Sequence, residues 1–134
     1  GQGSGQVVDD TASGDLVASL GVDYIVLDKI AKGATLGFVY PKEMIVIPSP
    51  VAIMKGTKNI ESAKKFVDFL LSTEGQKIIA SSYTLPVRED VAIDEKSGLV
   101  HPKEAVERAM KIDYIDLKSE KESIINQFTE IMNK

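Results

Sequence analysis

A chain of 134 residues with 43% hydrophobic and 27% charged side chains is long enough to bury a core and too polar to lie within a membrane. Its net charge of −4, with both signs mixed along the chain, argues against the clustered Lys and Arg of a nucleic-acid surface. The absence of Cys excludes disulfide scaffolds, thiol catalysis and Cys-based zinc sites, and is compatible with export from a bacterial cytoplasm.

The chain opens on Gly1, and no charged segment followed by an apolar run stands there as it would in a signal peptide, so a true start further upstream is expected. Residues 1–6, rich in Gly and Ser, are a candidate flexible linker. Residues 7–13 then read as a short helix closed by Gly14, a residue that accepts the left-handed conformation at a helix end. Residues 16–20 read as a short buried strand. Residues 24–32 place Ile25, Val26, Leu27 and Ile30 at helical spacing with Gly33 just past the end. Residues 36–40 are β-rich and stop at Pro41.

The apolar run 44–54 is interrupted by Pro48 and Pro50, which cannot donate to a sheet ladder, so it is predicted as an edge strand or a crossing segment. It is also far shorter than the roughly 20 residues of a membrane helix. Asn59 is predicted to cap an amphipathic helix with Ala63, Phe66, Val67, Leu70 and Leu71 on one face. Ser72 is predicted to cap a second helix over 73–81, followed by an extended 83–87 where Pro86 blocks helix continuation. Pro102 suits the first turn of a helix over 103–110. A brief extended stretch, 112–115, is expected next, and Ser119 with Glu122 reads as a capping box for the final helix. Alternating strands and helices favour an α/β fold with helices on the faces of a sheet.

Enzyme signatures are absent: there is no nucleophile elbow, no phosphate loop ending in Gly-Lys-Ser/Thr, and no zinc-helix pattern with two histidines. The single histidine, His101, reads as a solvated loop residue near a helix start. The carboxylate pairs Asp9-Asp10 and Glu89-Asp90 are sequence neighbours, which do not generally face one another, and read as surface charge. Gly3-Ser4-Gly5 ahead of a helix start could present backbone N–H groups to an anion, or be plain loop. Tyr24 falls at a strand-to-helix transition, where α/β proteins place ligand-contacting groups. It could offer a phenol to a solute or, deprotonated by a metal's charge, an oxygen to ferric iron; the alternative is a partly buried tyrosine with a wet hydroxyl.

The runs Gly33-Ala34-Thr35-Leu36-Gly37-Phe38-Val39-Tyr40-Pro41-Lys42-Glu43 and Ala52-Ile53-Met54-Lys55-Gly56-Thr57-Lys58-Asn59 carry a wider resemblance. Ala63-Lys64-Lys65-Phe66-Val67-Asp68-Phe69-Leu70-Leu71-Ser72, Glu74-Gly75-Gln76 and Leu85-Pro86-Val87-Arg88 extend it, as do Ser13-Gly14-Asp15-Leu16 and Gly21-Val22-Asp23-Tyr24 upstream. Together, over about residues 4–91, they resemble the second half of type II periplasmic solute-binding proteins of ABC importers, in the ferric-iron, aminoethylphosphonate and polyamine group.

The resemblance implies an incomplete type II lobe: a mixed sheet covered by helices, in a protein whose two lobes close on a solute held between them. Residues 1–45 would belong to the second lobe. Residues 46–98, with the helix pair 60–81, would return to the first lobe, and the helices of 99–134 to the second. The implied partners are an ABC permease, a small solute such as ferric iron, a phosphonate or a sugar phosphate, and either the first lobe or a second copy by swapping. The implied location is the periplasm or an anchored position outside the cell. Iron-binding members use tyrosines near the position of Tyr24, often as a pair; here Ile25 follows, so the paired pattern is not met, and Ser13, Ser4 and Gly5 become candidate contacts for an anion beside Tyr24. No resident cofactor is implied. A chain with a single lobe would expose Phe66, Phe69 and Leu70. A small α/β transferase or hydrolase, and a structural piece without ligand competence, are the competing readings.

Overall fold

The computed structural model describes residues 3–133. In chain order it contains α1 (Ser4–Ala12), α2 (Asp23–Ala31), α3 (Ile60–Leu71), α4 (Thr73–Ser81), a 3-10 turn (Glu95–Ser97), α5 (Pro102–Glu107) and α6 (Tyr114–Met132). Gly1 and Gln2 of the expected linker lie outside the described residues, and Ser4 to Gln6 are not linker but the first turn of α1.

α1 and α2 pack as a pair because each offers a small apolar stripe, with Val8 buried on one and Val26 and Leu27 on the other. Gly21 makes the close approach possible: a Cβ there would stand 2.9 Å from Val26 Cγ2 and 3.1 Å from Val8 Cγ2. An ion pair between Lys29 and Asp9 joins the polar edges of the two helices. α2 ends in a bond pair from Ala34 N–H to the Lys29 carbonyl and from Gly33 N–H to the Ile30 carbonyl, with Gly33 at φ 96°.

α3 and α4 form a tight helical hairpin. Ser72 caps α4 by accepting the Gly75 N–H at 3.1 Å, and its own hydroxyl donates to the Phe69 carbonyl at 2.6 Å. Gln76, only 3% exposed, donates to the Leu70 carbonyl at 2.7 Å and accepts the Val87 N–H at 2.7 Å, tying the hairpin to the chain that follows it. Asn59 does precede α3, but its side chain makes no cap hydrogen bond.

The main core is small: Met44, Val100 and Ala105 are buried, with Tyr40, Val46 and Leu85 packed against them. Arg108 closes this region. Its guanidinium donates to the carbonyls of Tyr40, Pro41 and Lys42 and pairs with Glu104. Beside it, Met44 N–H bonds the Arg108 carbonyl and Met110 N–H bonds the Met44 carbonyl, each at 2.8 Å.

That parallel bridge between Met44 and Ala109 is the sole β pairing among the described residues, so the expected mixed sheet is not formed among them. The runs 16–20, 36–40, 44–54, 83–87 and 112–115 form no strands here. The run 36–40 keeps a strand's alternation, with Leu36, Phe38 and Tyr40 turned inward and Gly37 and Val39 outward. No second strand lies alongside it, so no ladder forms along the run. In 16–20 the same lack of cover leaves Val17 and Leu20 fully exposed. The stretch 112–115 is overturned more directly, because α6 begins at Tyr114. Asp113 caps it, accepting from Ile115 N–H at 2.8 Å and Asp116 N–H at 3.3 Å, while Ser119 lies inside the helix and donates back to the Asp116 carbonyl. α6 buries none of its residues. Among the described residues no helix is long and apolar enough to cross a membrane.

Candidate ligand-binding cleft

The first turn of α2 is fixed from outside the helix. Asp23 accepts the Tyr24 N–H at 2.8 Å through one carboxylate oxygen and the Tyr40 hydroxyl at 3.1 Å through the other. Burial, and then the Asp23 charge beside it, raise the Tyr40 phenol far above its ordinary range, so it stays a donor to that carboxylate. Phe38 braces the same ring edge-on, at 4.7 Å between centroids. Tyr24 is thus carried on a helix start that is pinned to the 36–40 run, and it remains 45% exposed.

Tyr24 opens onto a cleft of about 450 Å³ between the α1–α2 pair and the C-terminal end of α4. Gly5 lines it from the first turn of α1, Asp28 and Lys29 from the middle of α2, and Ser81, Ser82 and Tyr83 from the end of α4. Lys29 already pairs with Asp9 and Asp28 with Lys32. An ammonium has three donors, so Lys29 keeps capacity for a further acceptor. The hydroxyls of Ser81 and Ser82 both donate to the Ile78 carbonyl, at 2.7 and 3.3 Å, which leaves their lone pairs as acceptors.

Of the candidate residues read from the sequence, the structure brings Tyr24 and Gly5 to one cleft. Ser4 is exposed next to Gly5 and does not line it. Ser13 lies past the far end of α1, some nine residues and about 13 Å of helix rise from Ser4. Its hydroxyl is engaged there with the Asp10 carbonyl and the Asp15 carboxylate. His101 is exposed and caps α5, accepting the Lys103 N–H at 3.2 Å. Lys29, Ser81, Ser82 and Tyr83 were not singled out by sequence reasoning. Lys29 sits on the polar side of a helix, and residues 81–83 come near Tyr24 only through the tertiary fold. No group of three or more His, Asp or Glu side chains converges among the described residues. A metal held at Tyr24 would therefore draw on phenols or on groups from elsewhere.

The sequence pattern of the bacterial extracellular solute-binding proteins matches residues 2–116. The chain is also similar to the phosphoglycerate transport regulatory protein PgtC of Salmonella typhimurium and to that of Salmonella typhi. Each is 34% identical over 71 residues, a stretch that covers 50% of this chain and 18% of the relative. No solved structure matches. With most of its length inside the family pattern, the chain belongs to the bacterial extracellular solute-binding proteins.

Proposed function

We propose that this chain is part of the solute-binding component of an ABC importer, which binds a small anionic solute outside the cytoplasm and delivers it to the permease without chemical change. The observation that carries the proposal is the shared cleft of Tyr24, Gly5 and Lys29. A phenol, the amides of a helix's first turn and an ammonium with spare donors suit a small oxyanion. Ser4, in the same turn as Gly5, is a candidate additional contact, whereas Ser13 would need the chain to move. The serine acceptors at the α4 end suit the hydroxyls of an organic phosphate. The likeness to proteins named for phosphoglycerate transport supports that class of cargo.

A two-lobe organisation is part of this reading. Residues 1–45 and 99–134 would serve one lobe and 46–98 the other, and the unpaired runs 16–20, 36–40 and 44–54 would join a mixed sheet there. The missing cover would come from a first lobe or from a second copy by swapping. Ferric iron is a second reading, favoured by one observation: Tyr83 is a second tyrosine lining the cleft that Tyr24 lines.

The test is to purify the full-length protein without added solute and examine what accompanies it by native mass spectrometry and metal analysis. An organic phosphate is expected, and Lys29→Gln should weaken titrated 3-phosphoglycerate about tenfold through loss of a charge-assisted bond. Recovery of ferric iron would move the assignment to the second reading. Turnover of any bound compound, or no bound solute and no titratable one, would overturn the proposal.

A further inference from the structure

α2 and α4 end in the same backbone motif but with different residues in the demanding position. At α2 the left-handed residue is Gly33, whose N–H and that of Ala34 return to the Ile30 and Lys29 carbonyls. At α4 the equivalent bonds run from Tyr83 N–H to the Ala80 carbonyl at 3.1 Å and from Thr84 N–H to the Ile79 carbonyl at 3.4 Å. Here the left-handed residue is Tyr83, at φ 60°. It is the one non-glycine residue with positive φ among the described residues. Glycine takes this conformation without strain, whereas a bulky side chain does so at a cost and persists only when something else holds it there.

Core packing does not supply that reason. Tyr83 is half-buried and stands outside the cluster around Met44. It instead lines the cleft that Tyr24 and Lys29 line from α2, together with Ser81 and Ser82, whose hydroxyls keep their lone pairs. We infer that Tyr83 is a solute-contacting, specificity-determining residue, kept in a left-handed conformation so that the α4 end places a phenol on the cleft entered by Tyr24. The inference rests on the solute-binding reading and deepens it: the solute carries an anionic group for Lys29 and hydroxyl or ester oxygens for the two phenols and the two serines. Tyr83 selects among anions of similar charge by those oxygens.

The experiment compares Tyr83→Gly and Tyr83→Phe with the unsubstituted full-length protein, by thermal melting and by calorimetric titration with glycerol 3-phosphate and with inorganic phosphate. Tyr83→Gly is expected to melt higher, because glycine suits the position, yet to bind glycerol 3-phosphate about tenfold more weakly. Tyr83→Phe should melt like the unsubstituted protein and lose about fivefold, with inorganic phosphate affected less in both. A lower melting point for Tyr83→Gly would make the ring a packing element and overturn the inference. So would glycerol 3-phosphate affinities within about twofold of the original for both variants, which would leave the solute-binding reading standing. If the unsubstituted protein binds neither probe, this inference fails, while the anion reading stands or falls on the 3-phosphoglycerate titration.

Discussion

Asp90 receives Arg88 Nε at 2.8 Å and a second guanidinium nitrogen at 2.9 Å, together with the Thr73 hydroxyl at 3.0 Å. The Arg88 hydrogen bonds are the main cause that holds its carboxyl at about 2. The folded value lies below the roughly 3.9 of an unfolded Asp, so the stabilisation is present above pH about 4 and is lost as pH falls towards 2. Both partners are solvent-exposed, which keeps the effect small. Asp90→Asn is therefore expected to have a lower urea midpoint at neutral pH, with the gap to the unsubstituted chain closing between pH about 4 and 2. A gap independent of pH would contradict this account. The sequence allowed Glu89-Asp90 to be read as surface charge, and Asp90 is indeed exposed. What it hid was the partner two positions earlier, because side chains two apart meet only when the backbone between them turns. Gln76 was equally silent: nothing in a polar residue on a short helix announces that it will be buried between the Leu70 carbonyl and the Val87 N–H.

At the scale of elements, the α3–α4 hairpin depends on the absence of one carbon atom. A Cβ at Gly75 would lie 2.1 Å from the Phe69 carbonyl oxygen and 3.1 Å from Leu70 Cα, both backbone atoms that cannot swing aside. Alanine in a helix is favoured over glycine by about 1 kcal/mol. Opening the hairpin to admit the methyl should outweigh that gain, for a net loss of about 1–3 kcal/mol by urea unfolding. A neutral or stabilising Gly75→Ala would show that the turn relaxes freely. Helices were the legible elements, since spacing and punctuation are local: Gly33 closes α2, Ser72 caps α4 and Pro102 opens α5. The start of α6 was misplaced because Asp113 and Ser119 are both capping residue types. Once Asp113 caps the earlier turn, extending the helix over Tyr114 to Lys118 adds a bond per residue without a new nucleus. Strands were the illegible elements, because a ladder needs a neighbour that local pattern cannot supply.

Over the whole molecule, the accessible surface is 10,966 Å² for a 14.5 kDa chain. A compact monomer of that mass exposes about 6,900 Å². Part of that surface is apolar side chain: Phe66 and Phe69 on α3 are exposed as expected, with Leu70 partly covered, and α6 adds Ile124, Ile125, Phe128 and Ile131. Patches of this extent drive association. The isolated chain is expected to sediment above 14.5 kDa and to bind an apolar dye, and Phe66→Asp with Phe128→Asp should reduce both. A monodisperse species of monomer mass without dye binding would contradict it. Of the candidate site, Tyr24 and Gly5 were legible from their positions at element starts, whereas the α4 end of the cleft arrives by packing alone.

The Arg108 clasp bears on the time course by which this shape is reached. It joins residues 66 to 68 positions apart, whereas the Gln76–Leu70 bond of the hairpin spans 6. Bringing the more distant ends together costs about 2 kcal/mol more chain entropy. The helical hairpins can therefore assemble while residues 40–44 still wander, and the closing of Arg108 on the carbonyls of Tyr40, Pro41 and Lys42 is the step that waits on diffusion of the chain.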